Sequence, residues 1–385
     1  MKESRLSSTK IPFAVLTVVA AVLLQGVLIA DYAFGAMLKA IWYGQFSTGK
    51  ALHRLYTGLP VVDELLAMSV SFWDAVAAEK PALRLEAIML CASLQTFAVW
   101  ITIERMRRGE KHMILRWAPL YIFCWQYFGT AIFVPFYCFV ELNRHFHPTQ
   151  GGSDPGIPYH QARALIPALL LAAIHPYRLV YFPPAGITLS QHQTFIACYQ
   201  LGPFACYALV AAFANFLSSD GRSNDTDVPK NADAPWIKAT YAIFGAFSGA
   251  VHLAVLGCVW RSQDLEVSFS ALFVPQWVKL WLPGAEEALY VEESLFFLQW
   301  DFILVVLAAC IYVERIVEAM WVYGGDGKEE EGVNSWVVML VCGVACVVVG
   351  PGAVVSAVLY VREDFLRHAF AEKEREKMLE KKVAQ

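Results

Sequence analysis

The chain has 385 residues, of which 57% are hydrophobic and only 17% are charged, whereas soluble globular domains carry about 25% charged residues. This balance excludes an ordinary water-soluble fold, and the net charge of −4 disfavours nucleic acid as a partner, because duplex binding requires a basic surface. Apolar runs of about 20 residues, the length of a helix that spans a bilayer, recur along the chain. The sequence therefore predicts an all-α, polytopic transmembrane helical bundle.

We predict about eight transmembrane helices, with seven as the lower count. In chain order the candidate spans are 11–30, 85–103, 117–141, 161–182, 194–217, 236–260, 295–317 and 335–361. No small-residue cleavage site follows the first span, so we expect it to be an uncleaved anchor. We treat residues 1–361 as one bundle domain and residues 362–385 as a cytoplasmic, mixed-charge helical tail.

Residues 60–78, in the long loop after the first span, form an amphipathic pattern. Asp63, Ala67, Ser71 and Asp74 fall on one helical stripe, and large apolar residues fill much of the remainder. This pattern predicts a helix that lies in the membrane interface. An alternative stays open, in which Asp63 or Asp74 caps a substrate cavity.

The distribution of basic residues predicts the orientation. With the N-terminus in the cytoplasm, 17 of the 30 Lys and Arg residues fall in cytoplasmic segments, as the positive-inside rule requires. We therefore expect an integral protein of the endoplasmic reticulum with both termini cytoplasmic, and a lumenal loop around the glycosylation triplet that begins at Asn224. All nine cysteines fall inside predicted spans, where we expect them to act as small packing residues.

Polar side chains inside the predicted spans mark the candidate site, because such groups are costly in hydrocarbon unless they face a partner or a cavity. In the alternating spans, the following residues fall in the same half of the bilayer: Glu104, Gln126, His175, Gln200, His252 and Asp301. We therefore predict one polar pocket, in which Asp301 is the strongest candidate because it lacks an obvious partner on its own helix. Glu141, on a separate lumenal stripe with Tyr137, is a secondary candidate. In the alternative interpretation these groups form ordinary ion pairs and hydrogen bonds between helices.

A buried acid among aromatic side chains suits carbocation chemistry. The acid delivers a proton, and aromatic faces stabilise the positive charge that results. An apolar wall also excludes the water that would quench the cation. These are the requirements of a terpene cyclase that is initiated by protonation.

Several competing chemistries lack their motifs. The sequence has no D-D-x-x-D or N-D-x-x-D cluster to hold magnesium on a diphosphate, no H-x-x-H-H box for a di-iron centre, and no glycine-rich nucleotide loop. We therefore expect no cofactor and no catalytic metal. Two other functions stay open, a non-catalytic lipid- or sterol-binding or carrier protein and a double-bond isomerase.

The polar and aromatic residues also resemble a known family. The pattern consists of Glu104-Arg105, then Gln126, Gly129 and Pro135-Phe136-Tyr137, then His175-Pro176, then Tyr199-Gln200 and Pro203, and finally Leu298-Gln299-Trp300-Asp301. In order and spacing it is similar to the fungal multi-spanning terpene cyclases of meroterpenoid pathways, which include the ascochlorin, ascofuranone and macrophorin cyclases. The resemblance covers roughly residues 60–315.

The resemblance implies a prenylated aromatic or polyketide substrate whose terminal olefin is epoxidised, and the enzyme would protonate this epoxide or a terminal olefin. We expect no obligate protein partner. Under this hypothesis Asp301 is the general acid, and Glu104 and His175 tune it or return the proton, with Glu141 as a further catalytic candidate. Gln126 and Gln200 would orient oxygen atoms of the substrate, and Tyr137 and Trp300 would face the cation. His252 and Gln299 would also bind substrate.

Overall fold

The computed structural model describes residues 10–30, 32–78, 80–109, 111–145, 154–219, 229–277, 286–324 and 334–383. In these ranges the regular structure is helical apart from one isolated bridge between Gln45 and Ala51, which confirms the all-α prediction. The helices are α1 (Ile11–Ala30), α2 (Ala33–Tyr43), α3 (Pro60–Ala78), α4 (Pro81–Met106), α5 (Met113–Arg116), α6 (Ala118–Phe128), α7 (Thr130–His145), α8 (Tyr159–Tyr181), α9 (Leu189–Gln200), α10 (Gly202–Ser219), α11 (Ala234–Arg261), α12 (Phe269–Phe273), α13 (Glu286–Gly324), α14 (Ser335–Val349) and α15 (Pro351–Val383).

Five of the described helices are long and apolar enough to cross a membrane. They are α1, α4, α8, α11 and the part of α13 from Tyr290 to Trp321, which correspond to five of the predicted spans. The count rises to six if α9 and α10, which bend by 65° at the break between them, form one broken span. The predicted count of seven or eight spans is therefore not confirmed.

The predicted span 117–141 is instead a helical hairpin, α6 and α7, that we call the first hairpin. Its two ends meet, because His112 Nε2, just before α5, lies 3.2 Å from Glu141 Oε2 near the end of α7. The Tyr121 hydroxyl donates to the Phe133 carbonyl across the two helices at 2.6 Å. The chain reverses at Gly129, whose φ of +91° favours glycine, whereas Pro135 lies inside α7.

The predicted span 335–361 folds in the same way, as a second hairpin formed by α14 and the first turns of α15. The Ser335 side chain, at the start of α14, forms a hydrogen bond with Glu314 of α13. The chain reverses at Gly350, with a φ of +86°, against the ring of His252 in the middle of α11. It then returns to Arg362, which contacts Glu104 at the end of α4.

Both hairpins open toward one end of the bundle, which we call the tail end, where Glu104, Glu141 and Arg362 meet. The start of α1 lies toward the same end, since Lys10 Nζ is 6.0 Å from the ring centroid of Phe139. At the opposite end, which we call the loop end, Glu293 accepts hydrogen bonds from the backbone at the start of α2. Two hairpins in place of two crossings therefore keep both described ends of the chain on one side.

The helix at residues 60–78 forms with the predicted limits, but its surroundings differ from the prediction. An interfacial helix would turn its polar stripe toward water, whereas Asp63, Ser71 and Asp74 are each 3% exposed or less. Most of its apolar residues are buried too, against neighbouring helices that include α4, α9 and α13, and only Val61 and Leu65 near its start are exposed among the large ones. This helix is therefore an internal wall of the bundle.

Candidate active site

A cavity of about 1120 Å³, counted with its open mouth, lies between α3, α4, the first hairpin, α10 and α13. Most of its wall is apolar or aromatic, with Phe72, Trp125 and Phe297 among the lining side chains. Asp301 is the one charged side chain among the lining residues that the structure describes. The cavity therefore combines an apolar volume with a single acidic group.

Asp301 lies on α13 and is 3% exposed. Its Oδ1 accepts the Ala131 backbone N–H at 2.5 Å, and the Thr130 N–H is a second backbone donor. Both amides belong to the first turn of α7, where free N–H groups and the helix dipole favour an anion. No Lys, Arg or His side chain in the described ranges forms an ion pair with it. The structure thus supports the carboxylate by backbone dipoles alone.

Gly129 makes this contact with α7 possible. A Cβ atom at this position would lie 2.6 Å from Leu24 Cδ1 and 3.6 Å from Asp301 Oδ1. Gln25 of α1 donates to the Phe128 carbonyl at 2.9 Å, so the end of α6 is also satisfied. The reversal of the chain therefore presents the amides of α7 directly to Asp301.

Glu86 is a second buried carboxyl group near Asp301 that our sequence interpretation gave no role. It is fully buried on α4, and neither carboxylate oxygen has a hydrogen-bond partner among the described residues. It interacts electrostatically with Asp301, although it does not itself line the cavity. Its position inside an apolar run of α4 was the signal, by the same rule that selected Asp301.

Two amide side chains contribute polar groups to the cavity wall. Gln126 lines the cavity and donates to the backbone carbonyl of Gln200 at 3.3 Å. The side-chain amide of Gln200 is fully buried and has no partner in the described structure, but it does not line the cavity. A pair that we did not predict, Gln95 and Tyr199, also lines the wall and is joined by a hydrogen bond of 2.6 Å.

Glu104 and Glu141 do not lie in this cavity. Both are fully buried at the tail end, where Arg362 Nη1 is 3.1 Å from Glu104 Oε1 and Arg362 Nη2 is 3.8 Å from Glu141 Oε1. Arg107 pairs with Glu104 at 3.1 Å and with Glu363 at 2.6 Å. The prediction that Glu104 shares a pocket with Asp301 is therefore wrong, because α4 ends at the far side of the bundle and its glutamate is neutralised there.

The other predicted residues are also dispersed. His175 is exposed on the outer face of α8. Tyr137 packs edge-on against Trp100 near the tail end, and the ring of His252 bonds the Val347 carbonyl of the second hairpin at 2.9 Å. Gln299 and Trp300, although adjacent to Asp301, contact the Ala271 carbonyl and the ring of Trp277 on another face of α13. Of the residues predicted to share one polar pocket, only Asp301 and Gln126 line the described cavity, and Gln126 is held there by the Gln200 carbonyl.

One group of three potential metal ligands occurs in the described part of the chain. Cys310 of α13 and Cys342 and Cys346 of α14 are buried, and their Sγ atoms all lie within 4.8 Å of one another. The three thiols do not line the Asp301 cavity. Their cluster is part of the interface that joins the second hairpin to α13.

Comparison with known proteins identifies the family. The model of the CtvD domain family matches residues 14–367. The chain is 26% identical over 337 residues to terpene cyclase DEP1 of Fusarium langsethiae and 26% identical over 344 residues to terpene cyclase DEP1 of Alternaria brassicicola, in each case over 83% of this chain and 88% of the relative. It is also 26% identical over 254 residues to terpene cyclase sdgD of Emericella nidulans, over 65% of each chain.

No solved structure matches the chain at a significant level. The family match nevertheless extends over all the helices that build the cavity, and the relatives align across most of their own length. The resemblance to fungal terpene cyclases is therefore confirmed. The chain belongs to the CtvD domain family and is an enzyme related to the fungal terpene cyclases.

Proposed function

We propose that this terpene cyclase protonates a terminal epoxide on the prenyl chain of an aromatic or polyketide substrate and cyclises it without a metal ion. The observation that carries the proposal is the position of Asp301, which is the one charged side chain in an otherwise apolar and aromatic described wall. A carboxylate that holds a structure together is normally paired with a cation. The isolation of Asp301 from cations instead suits a carboxylic acid that donates a proton.

The protonated state of the acid is supported by its neighbour. Asp301 and Glu86 are buried, interact electrostatically and have no ion-pair partner in the described structure. Ionising both would bury two like charges, so the two groups together retain at least one proton at neutral pH. Because Glu86 does not line the cavity, we assign it the role of a positioning residue, which acts on the proton through Asp301 and not by contact with the substrate.

The proposed reaction conserves all atoms of the substrate. Asp301 transfers its proton to the epoxide oxygen, the bond from that oxygen to the tertiary carbon breaks, and the π electrons of an internal alkene form the new ring bond. The ring bearing the final cation then loses a proton, which restores the acid. During the reaction the Ala131 and Thr130 amides stabilise the Asp301 carboxylate, and aromatic faces such as Phe72 and Phe297 stabilise the cation.

We assign no proton-transfer role to Glu104, Glu141 or His175. The two glutamates are held by arginines at the tail end, and the histidine lies on the outer surface. Gln126 is the proposed group that orients the substrate oxygen, with the Gln200 carbonyl holding its amide in place.

We also propose that the protein lies in the endoplasmic reticulum membrane, with its tail end facing the cytoplasm. Residues 362–385 contain seven Lys and Arg residues and follow the helix turn that lies at the tail end, so this orientation satisfies the positive-inside rule. The triplet at Asn224 lies outside the described residues.

The experiment uses microsomes that contain the full chain and an epoxy-prenylated resorcinol. We expect a product of unchanged mass with an additional ring, identified by NMR, and unchanged activity in the presence of EDTA. Asp301→Asn should lower cyclisation by roughly 10²–10⁴-fold, the contribution of a general acid. The control Glu314→Gln, at a buried carboxyl on the same helix that pairs with Arg315, should retain cyclisation.

Each alternative predicts a different result in that experiment. A lipid carrier would bind the compound without converting it, and a double-bond isomerase would return a product with no new ring. Full cyclisation by Asp301→Asn would remove Asp301 from the role of the acid.

A further inference from the structure

A second cavity lies at the loop end, between α2, the segment 45–50, the end of α3 and the start of α13. It has a volume of about 940 Å³ counted with its mouth, and we call it the vestibule. In contrast to the first cavity, its wall is rich in charged and hydroxyl groups and in aromatic rings: Tyr32, Lys39, Tyr43, Phe46, Thr48, Lys50, Asp74 and Tyr290.

Met37 of α2 lines both cavities. Helix α3 also contributes to both, with Phe72 and Trp73 facing the Asp301 cavity and Asp74 and Ala75 facing the vestibule. The two volumes are therefore adjacent across one methionine, whose unbranched side chain changes rotamer readily.

The vestibule contains a fixed acid–base pair. Lys50 Nζ lies 2.7 Å from Asp74 Oδ2, and His192 Nδ1 lies 3.7 Å from Asp74 Oδ1. Burial alone would raise the pKa of Asp74, but the nearby His192 ring and Lys50 ammonium hold that pKa below its ordinary value. A charged pair among tyrosine hydroxyls and ring faces offers donors, acceptors and stacking surfaces to a flat polar ligand.

We propose that the vestibule binds the planar, hydroxylated ring of an amphipathic substrate, whose prenyl chain passes Met37 and places its far end at Asp301. This inference rests on the proposed function and adds the position of the substrate head. The dimensions agree with it, because Tyr290 of the vestibule and Asp301 are eleven residues apart on α13, or about 16 Å at 1.5 Å per residue. A chain of several isoprene units spans that distance.

The test compares two substrates on the full chain reconstituted in lipid nanodiscs. One is the epoxy-prenylated resorcinol, and the other is the acetate of the same epoxy-prenyl alcohol, which has no ring. Lys39→Met, at an exposed position of the vestibule, should raise KM about tenfold for the ring-bearing substrate and leave its kcat unchanged, as expected for a lost bond to a charged group. It should not change KM for the ringless substrate.

Met37→Trp should lower kcat/KM about tenfold for both substrates, because the larger side chain obstructs the passage. The matched control Met113→Trp, at a side chain that is 76% exposed at the tail end, should behave like the wild type. Because removal of Lys50 alone would leave Asp74 buried without its main partner, the paired variant Lys50→Met with Asp74→Asn serves as the second test of the head site. It should raise KM only for the ring-bearing substrate.

Binding of an unreactive analogue separates this inference from the proposed function. The prenylated resorcinol with a terminal alkene in place of the epoxide should bind the wild type and bind Lys39→Met about tenfold more weakly, whether or not the enzyme opens epoxides. If Asp301→Asn lowers cyclisation as expected but the vestibule variants leave KM and binding of the analogue unchanged, the head site is wrong and the proposed function stands. If the analogue binds as expected while no epoxide is converted, the head site stands and the proposed function is wrong.

Discussion

Asp301 and Glu104 are both buried carboxylates on helices long and apolar enough to cross a membrane, and they differ in what surrounds them. Glu104 lies between two arginines, Arg107 and Arg362, each at 3.1 Å, and it does not line the Asp301 cavity. Asp301 faces an apolar cavity and is held by backbone amides alone. Burial by itself therefore does not identify a reactive acid, and the presence or absence of a cation distinguishes the two sites.

The two sites differ because an ion pair keeps both of its partners charged. Separating buried charges costs several kcal/mol, so a paired glutamate neither releases nor takes up a proton easily. A carboxyl group without a cation is free to carry the proton, at a cost in solvation that the fold must offset elsewhere. If this difference holds, variants at the two sites should change the free energy of unfolding by very different amounts.

The largest loss of stability is expected for Arg362→Met. Methionine keeps much of the aliphatic volume, but Glu104 and Glu141 lose a buried cation, at a cost of about 3–5 kcal/mol. Thermal unfolding in detergent measures the loss, with Arg375→Met in the exposed part of α15 as the control. Equal melting of the two variants would show that the buried network does not stabilise the bundle.

Gly129→Ala should cost about 1–3 kcal/mol, because a side chain at a φ of +91° is strained and its Cβ meets Leu24. It should also lower kcat, since the Ala131 amide moves away from Asp301. Gly257→Ala in α11 is the matched control, because a Cβ there has nothing within 4 Å, and it should be neutral or slightly stabilising. A fully active and stable Gly129→Ala variant would contradict the role of the hairpin tip.

Asp233, just before α11, should give a pH-dependent contribution of about 1–2 kcal/mol. Burial opposes its ionisation, but Arg367 at 2.9 Å and the Ile157 amide at 2.7 Å hold its pKa below the ordinary 3.8. A lowered pKa in the folded state means that this stabilisation is complete above pH 3.8 and is lost as the pH falls through the folded-state pKa.

Melting curves of the wild type and of Asp233→Asn should therefore be separated near neutral pH and converge below about pH 4. A constant separation down to about pH 3 would show that the charge of Asp233 contributes nothing.

The smallest change in stability is expected for Asp301→Asn, under about 1 kcal/mol, because no ion pair is broken and the amide oxygen still accepts the Ala131 N–H. Cyclisation should nevertheless fall by roughly 10²–10⁴-fold, the contribution typical of a general acid. A melting temperature as low as that of Arg362→Met would instead identify Asp301 as a structural group.

The sequence predicted the elements that depend on local composition. A 20-residue apolar run is visible directly, and five such runs form helices that are long and apolar enough to cross a membrane. Hydropathy does not distinguish one crossing from two half-crossings, so the segments 117–141 and 335–361 were assigned as spans. The distinguishing residues were Gly129 and the pair Gly350-Pro351, where the backbone leaves the helical region and reverses.

The site was predictable only in part, for a similar reason. Asp301 was selected by its depth, and the structure places it at the cavity. Glu104 was selected by the same rule, but its partner Arg362 is 258 residues away along the chain. A pairing over that distance cannot be predicted from the residues near Glu104. The side on which a helix ends also depends on how many earlier segments cross the membrane, so each hairpin changed the predicted neighbours of every residue that follows.

The first hairpin also sets an order for biosynthesis. Helices α6 and α7 emerge from the ribosome long before α13, yet their turn is completed by Asp301 of that later helix. Until α13 is inserted, α1 is the partner that covers the turn, through Gln25 and Leu24. The proposed active site is therefore completed late during translation, and a nascent chain that stops before residue 286 has the turn of the first hairpin without the carboxylate that it is built to hold.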